Sequence, residues 1–449
     1  MAHLIDYEMK MSSSSRLIRR LAIVLIGALG LMLSGVSKAQ LVIEITKGAS
    51  KPVPIALVPF GWEGGGPPPA DIAAIVRSDL VGSSRFDVLD GEMLPALPTR
   101  GVAVDFDNWR RVAVNYLVVG ELAREGEEYS LRFQVFDVYG ARQVVADRLI
   151  VPAADLREAG HRVADAVYEA VTGIKGVFAT RVAYVSVARS GNEQTYRLIM
   201  ADADGNNERP FVESNEPIMS PVWSPDGRSI AYVSFESGQA AVYVQTLRTG
   251  SRRKVSARAG VNNAPSWSPD GRNLALTLSD ADGNLDVYVL KLIGNKLTRI
   301  TSRRSIETEP TWSADGKTLY FTSDRGGAPQ IYRAPANGDG EPERVTFEGN
   351  YNARPRVSPD GRWLAMVHND RGRFRVAVQN LENDSFQVLS DGALDESPSF
   401  APNSAQIIYA TRRAGRGVLE TVSVDGQVSG RVKSVGSDVR EPAWSPFRP

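Results

Sequence analysis

The side chains able to do chemistry in this 449-residue chain are few, and their spacing argues against catalysis. Histidine occurs three times: His3, His161 on a helical stretch, and His368 at the end of a strand. Neither of the last two has a nucleophile or a metal ligand at a recognisable interval, so both read as structural. No Gly-x-Ser-x-Gly pentapeptide is present. That removes the nucleophile elbow a propeller-capped serine peptidase needs on its hydrolase domain. Two acidic runs have the spacing of cation loops. Asp202, Asp204, Asn206 and Glu213 fall on the first, third, fifth and twelfth positions of a calcium loop, but Asn207 stands where that loop requires glycine. Asp280, Asp282, Asn284 and Asp286 lack the closing glutamate as well. Both runs join strands, where Asp-Gly and Gly-Asn are ordinary turn formers, and no metal and no cofactor is expected. Gly64-Gly65-Gly66 followed by Pro67-Pro68-Pro69 has no Lys or Ser to suit a phosphate loop and reads as a connector.

The elements behind the remaining polar clusters repeat. Trp223-Ser224-Pro225-Asp226-Gly227 returns as Trp267-Ser268-Pro269-Asp270-Gly271, Trp312-Ser313-Ala314-Asp315-Gly316 and Val357-Ser358-Pro359-Asp360-Gly361, then decays to Phe400-Ala401-Pro402-Asn403-Ser404 and a terminal Trp444-Ser445-Pro446. Equivalent positions 224, 268, 313, 358, 401 and 445 are separated by 44, 45, 45, 43 and 44 residues, the period of a four-stranded propeller blade. Each phrase is a hairpin turn, with Pro presetting φ and Gly supplying the positive φ of the last corner. The aromatic before it reads as a wedge between neighbouring blades. The first strand group, Val182 to Val187, Arg197 to Asp202 and Arg209 to Glu213, lacks an inner strand, whereas Glu441 to Ser445 is an inner strand with nothing after it. Six blades follow, the C-terminal strand completing the blade begun near Thr180.

In such a ring the Ser-Pro-Asp-Gly turns share one face, and the crossings between blades ring the channel mouth on the other. The crossings read Asn215 to Met219, Val261-Asn262-Asn263-Ala264, Ile306-Glu307-Thr308-Glu309, Asn350-Tyr351-Asn352-Ala353, Leu394-Asp395-Glu396-Ser397 and Asp438-Val439-Arg440-Glu441. Asn, Thr, Asp and Glu dominate, which suits hydrogen bonding to another protein. The same composition also suits a solvated rim without a ligand.

Residues 1–39 differ from the rest. Arg16, Arg19 and Arg20 precede an apolar run from Leu21 to Leu33, and Ser37-Lys38-Ala39 has small residues where a signal peptidase reads. This is a secretory leader, with translation starting at Met1, Met9 or Met11. Its apolar run is too short for a permanent membrane span, and no comparable run follows. A mature chain from Gln40 is therefore expected to be soluble in the periplasm and monomeric. Net charge is zero over the whole chain and stays near zero without the leader, so nucleic acid is not expected as a partner. Cysteine is absent, and the fold must rest on its core. From Gln40 to residue 173, strand and helix patterns mix in an N-terminal α/β domain. Strands are expected at Leu41 to Ile45, Pro54 to Phe60, Phe86 to Leu89, Tyr116 to Leu122, Tyr129 to Tyr139 and Gln143 to Val151. Helices are expected from Asp71, over Asn108 to Ala113, and over Asp155 to Val171. The propeller takes residues 174–449.

Thr308-Glu309-Pro310-Thr311-Trp312, Phe321-Thr322-Ser323-Asp324, Pro329-Gln330-Ile331-Tyr332, Arg344-Val345-Thr346, Leu394-Asp395-Glu396-Ser397-Pro398-Ser399 and Pro442-Ala443-Trp444-Ser445-Pro446 resemble the TolB family, periplasmic propellers of the Tol-Pal envelope system. With the leader and Ile55-Ala56-Leu57-Val58-Pro59-Phe60 of the first domain, the resemblance covers essentially the whole mature chain. It implies a non-enzymatic adaptor whose channel mouth takes up the lipoprotein Pal and whose N-terminal arm contacts TolA, in support of outer-membrane integrity and constriction at division. Carried over by motif, the Pal-facing residues are Ala264, Thr308 and Glu309. Asn262, Asn263, Asn352, Asp395, Glu396 and Glu441 join them as mouth residues. The family often carries a histidine three residues before that alanine, where this chain has Val261. The TolA contact falls on Gln40, Leu41, Val42, Ile43, Glu44 and Ile45, by strand addition or by release from a docked site; the same segment also reads as an ordinary edge strand. A sialidase-like glycosidase is the enzyme alternative, sharing six blades and Ser-x-Asp turns but carrying an aromatic after the glycine at a spacing absent here.

Overall fold

A computed structural model describes residues 51–434 and 438–448. The leader and the arm Gln40 to Ile45 lie outside the described residues.

The first domain is built on β1 (Val53–Leu57), β2 (Gly61–Glu63), α1 (Ile72–Gly82), β3 (Phe86–Val88), α2 (Phe106–Arg111), β4 (Tyr116–Glu125), β5 (Glu128–Asp137), β6 (Arg142–Pro152) and α3 (Leu156–Thr172). The sheet runs β3-β1-β4-β5-β6, parallel at β1 and antiparallel from β4 onward, with β2 beside β4. Asp71 caps α1 as its position before the apolar periodicity requires, accepting a bond from the Ala74 N–H at 2.9 Å. Ile72, Val76 and Leu80 of α1 and Leu156, Val163 and Val167 of α3 bury one stripe each against Ile55, Leu57, Val118, Leu131 and Val135. Trp109 of α2 closes the opposite face of the sheet. Gly173 ends α3 in the left-handed region at φ 73°. Among the described residues no helix is long and apolar enough to cross a membrane.

Six four-stranded sheets follow among the described residues. Blades 2 to 6 open with the inner strands Ile218–Trp223, Asn262–Trp267, Glu307–Trp312, Asn352–Val357 and Glu396–Phe400. Blade 1 borrows its inner strand: Asp438–Trp444 pairs antiparallel with Arg181–Ser190, ahead of Glu193–Asp202 and Arg209–Ser214. The ring is thus shut by the tail, as the strand count predicts. Ser445 fastens the seam, its hydroxyl accepting the Arg181 N–H at 3.0 Å.

The repeated phrase is a small hydrogen-bonded machine. In Ser268-Pro269-Asp270-Gly271 the Ser268 hydroxyl donates to Asp270 at 2.6 Å and accepts from the Asn273 N–H at 2.9 Å, while Asp270 accepts from the Arg272 N–H at 3.0 Å. The Ser268 hydroxyl and the Arg272 N–H hold the Asp270 carboxyl below its ordinary range. Gly271 takes φ 69°, and in the decayed copy Ser404 takes φ 60° without glycine's freedom. Three of the residues before the turns join blades by hydrogen bonds: the indole N–H groups of Trp223, Trp267 and Trp312 donate to the carbonyls of Ala443, Val222 and Ser266 on the preceding blade. Trp444 donates to the Thr180 hydroxyl at 2.8 Å.

The first domain docks on the face bearing these turns. Arg85 meets Asp425 at 3.1 Å, Asn403 donates to the Lys175 carbonyl at 2.9 Å, and Arg448 of the tail pairs with Glu158 of α3. Asp165 of α3 accepts the N–H groups of Phe178 and Ala179 at 2.7 and 3.1 Å, turning the chain into the propeller. Burial dominates over those two bonds and pushes the Asp165 carboxyl up to about 6.

Two outcomes follow from this packing. Trp444→Ala should cost about 3–5 kcal/mol in urea unfolding, because it empties a buried wedge at the seam; a loss under about 1 kcal/mol would contradict the closure. Asp165 keeps its proton more tightly folded than unfolded. The native state therefore binds more protons than the unfolded state between about pH 4 and 6, and stability falls as pH rises through that window. The stability of wild type relative to Asp165→Asn should drop by roughly 2 kcal/mol from pH 4 to pH 7. A pH-independent difference between the two proteins would refute the assignment.

Candidate functional site

Every inner strand breaks its register at the same place. The ladder slips between Met219 and Val222, Asn263 and Ser266, Thr308 and Thr311, Ala353 and Arg356, Glu396 and Ser399, and Arg440 and Ala443. At each bulge a non-glycine residue sits in the left-handed region: Ser220, Ala264, Glu309, Arg354, Ser397 and Glu441, with φ between 49° and 57°. Each is followed by proline, at 221, 265, 310, 355, 398 and 442. Proline has no N–H to leave orphaned where the ladder opens, and the bulge re-aims the preceding side chain. Such backbone costs on the order of 1–3 kcal/mol per residue and concentrates at ligand clamps. The expected site residues Ala264, Glu309 and Glu441 are three of these six.

The bulges are stitched blade to blade. Glu309 donates its N–H to the Thr277 hydroxyl at 3.1 Å, itself 3.3 Å from the Thr308 hydroxyl. Its carboxylate takes the Arg354 side chain at 2.6 Å and the Arg354 N–H at 3.0 Å, and accepts from Thr322 at 3.2 Å. Arg354 continues to the Ser397 hydroxyl, and Glu441 accepts the Ser220 N–H. Burial acts to lower the Arg354 pKa, but the carboxylates of Glu309, Glu441 and Glu396 outweigh it and raise the value. Arg356 lies deeper, in a channel cavity of about 570 Å³ lined also by Thr311, Ser399 and the wedge indoles. There burial pushes the guanidinium pKa down, with Glu309 pulling against it and Arg354 adding to it.

The structure divides the expected mouth residues in two. Asn263, Ala264, Thr308, Glu309, Glu396 and Glu441 are half-buried around the opening. Asn262, Asn352 and Asp395 are fully buried instead, which corrects their placement on the rim. Asn262 bonds Ser256 and the Arg258 backbone, Asn352 bonds Gln330 and the Glu348 carbonyl, and Asp395 bonds Ser390 and Thr411. Glu307 holds the equivalent position, fully buried and paired with Arg325. These four side chains satisfy backbone and hydroxyl groups inside each crossing. His368 belongs to the same layer. It lies 2.9 Å from Asn352, and burial pushes its pKa down, so it stays neutral.

A feature absent from the sequence reading lies one residue earlier. Val261, Ile306 and Leu394 are 37%, 52% and 42% exposed, each just before the buried polar residue of its crossing. Tyr351 takes the same position in blade 5, edge-on to Phe374 at 5.2 Å. An apolar collar thus surrounds a hydrogen-bonding crater, the core-and-anchor pattern of a protein interface. Arg354 and Ser220 were also missed, and Ser397 was read only as part of a crossing. Six prolines in phase with the 44-residue period were the available signal.

The calcium-like runs are turns. Asp202 and Asp204 turn toward Arg157, and Asp280 and Asp286 toward Arg299.

Comparison with known proteins agrees with this architecture. Residues 41–144 match the model of the TolB amino-terminal domain, and residues 168–448 that of the TolB beta propeller domain. Among curated relatives, the Tol-Pal system proteins TolB of Xanthomonas euvesicatoria pv. vesicatoria and Xanthomonas campestris pv. campestris are 45% and 46% identical over 426 residues, 94% of this chain and 97% of theirs. The crystal structure of TolB from Acinetobacter baumannii superposes with a TM-score of 0.83 at 39% identity, covering 90% of this chain and 99% of that one. These relatives are named as a system component and not as an enzyme. With both domains matched in order and near-complete coverage at this identity, the chain belongs to the TolB family and is a component of the Tol-Pal system.

Proposed function

We propose that this chain is a periplasmic adaptor that takes up the lipoprotein Pal at the channel mouth and TolA through the arm Gln40 to Ile45. In this role it supports outer-membrane integrity and constriction during division. The observation that carries the mouth assignment is the sixfold ring of left-handed bulges inside an apolar collar, on the face the first domain leaves open. Strain held in one place six times over, beside exposed Val261, Ile306 and Leu394, suits a preformed socket for a protein loop. Ala264, Thr308 and Glu309 form its floor with Asn263, Glu396 and Glu441. Asn262, Asn352 and Asp395 serve it indirectly by bracing the crossings. The names of the relatives, which carry Tol-Pal, support Pal as the occupant. The leader supports the periplasm, and the near-neutral charge argues against nucleic acid.

Capture of purified Pal separates this reading from a solvated rim or a propeller hydrolase. Thr308→Trp, Glu309→Arg and Ile306→Asp should each weaken Pal binding by roughly tenfold or more, because they fill, reverse or wet the centre of the socket. Melting temperature should stay within a few degrees of wild type for Ile306→Asp, whose side chain is exposed. Unchanged Pal affinity across all three variants would remove Pal from the mouth. Deleting residues 40–45 should leave folding intact while reducing TolA capture; full capture by the truncated chain counts against the arm.

A further inference from the structure

Where α1 and α3 meet the propeller, a buried histidine has one ring nitrogen with nothing to bind. His161 is 2% exposed, and its Nδ1 lies 2.6 Å from a carboxylate oxygen of Asp79 on α1, itself buried. In the tautomer that donates Nδ1–H to Asp79, Nε2 carries a lone pair. Burial disfavours the charged ring, but the Asp79 carboxylate outweighs it and raises the His161 pKa, so an ion bound at Nε2 would displace a proton. Nε2 has no hydrogen-bond partner. It faces the turn that follows strand Glu193–Asp202, where an Asp202 oxygen stands 3.9 Å away. One donor atom each from Asp79, His161 and Asp204 fall within 4.8 Å of one another.

The charge around this nitrogen is lopsided. Asp79 comes from α1, Asp202 and Asp204 from the propeller turn, and Asp165 lies one turn further along α3. Against them stands one guanidinium, Arg157 of α3, 3.3 Å from Asp202 and in contact with Asp204. Among the described residues, Arg431 and Lys433 line the cavity beside Asp79 and Asp204 without an ion pair to either, and the unpartnered Nε2 faces the carboxylates of the turn.

We propose that this junction is a divalent-metal site of the zinc class, with His161 Nε2 and Asp204 as ligands, Asp79 holding the imidazole from behind, and Asp202, 3.9 Å from Nε2 but outside the close trio, moving in as the third ligand. The donor set decides the class. Calcium and magnesium prefer all-oxygen shells, whereas an imidazole with carboxylates suits zinc and its neighbours cobalt and nickel. A carboxylate on the far ring nitrogen is the usual support of a metal-bound histidine. Bonds of about 2.0–2.2 Å require the donors to close in by about an ångström. Arg157, 32% exposed along its side chain, then turns out to solvent as the metal takes over its charge. The ion would join α3 of the first domain to the propeller turn, so that binding stiffens the junction.

The test uses the mature protein without a histidine tag, stripped with chelator. Cobalt titration should give visible absorption bands saturating at one equivalent, displaced by zinc, and zinc should raise the melting temperature where magnesium does not. His161→Gln should abolish both effects, Asp204→Asn should weaken them, and Asp79→Asn should lower affinity about 10–100-fold while keeping the bands. The cobalt spectrum of wild type needs no variant to fold. No bands and no zinc stabilisation in wild type, or stabilisation by acid alone, would mean that a proton occupies the gap, and the proposal fails. Bands that persist unchanged in a folded His161→Gln protein overturn it equally, since they would place the metal elsewhere.

Discussion

The pairing of Asp438–Trp444 with Arg181–Ser190 is the constraint on which the other contacts depend. A ring of sheets has no stable partial form with an open seam, because an unpaired inner strand would expose a row of backbone donors and acceptors to water and to other chains. Closing the seam with the chain's own tail makes the last residues as structural as any core strand. The indole of Trp223 then finds a carbonyl on Ala443, a residue of that tail strand. The relay of indole to preceding carbonyl, repeated at Trp267 and Trp312, so extends across the seam. The same tail carries Arg448 to Glu158 and Phe447 to Lys175, which lies 3.9 Å from the ring centre. One tail segment therefore serves both the closure of the propeller and the docking of the first domain.

A closed ring can hold strain that an open sheet would shed. In blades 3, 4 and 5 the inner strand is fixed at its turn by the Ser-Asp hydrogen bonds and at its crossing by buried Asn262, Glu307 or Asn352, so the bulge between them has nowhere to relax. Left-handed Ala264 or Glu309 is tolerated because both ends are pinned. The result is six side chains redirected at one level, and the stitching from Glu309 through Arg354 to Ser397 spans three blades. A loop docking there would meet donors and acceptors already oriented, which reduces the ordering cost of binding. Arg354 is central to this arrangement. Burial works against its charge, and three carboxylates, Glu309, Glu441 and Glu396, keep that charge in place.

Much of the architecture was legible because it is written several times. The period, the hairpin turn and the inter-blade aromatic each recur, and the odd strand at either end has one arrangement that leaves no edge. The first domain's helices were legible for a different reason: Asp71 and the apolar spacing of Ile72, Ile75, Val76 and Leu80 state both where α1 starts and which face it buries. The mouth was less transparent. Asn262, Asn352 and Asp395 have the residue types of a solvated rim, and composition does not reveal whether a short polar side chain bonds water or the loop beneath it. Burial decides that, and burial depends on where the crossing folds back. Val261, Ile306 and Leu394 were hidden by the opposite problem, since a lone apolar residue in a loop resembles an ordinary surface exposure. Only their common phase in the ring makes them a collar.

Face assignment gives these parts a division of labour. The first domain touches the propeller through turns: the decayed one at Asn403, the one at Asp425, and the one at Asp202 and Asp204. All three lie at the end of the blades away from the bulges. A partner seated in the crater therefore does not compete with the first domain for surface. Any influence of one on the other must pass through the inner strands, whose two ends are the crater and the turns. The wedge indoles line the channel between those ends, and those of Trp223, Trp267 and Trp312 bond across a blade boundary. These three indole bonds tie neighbouring inner strands together along that path.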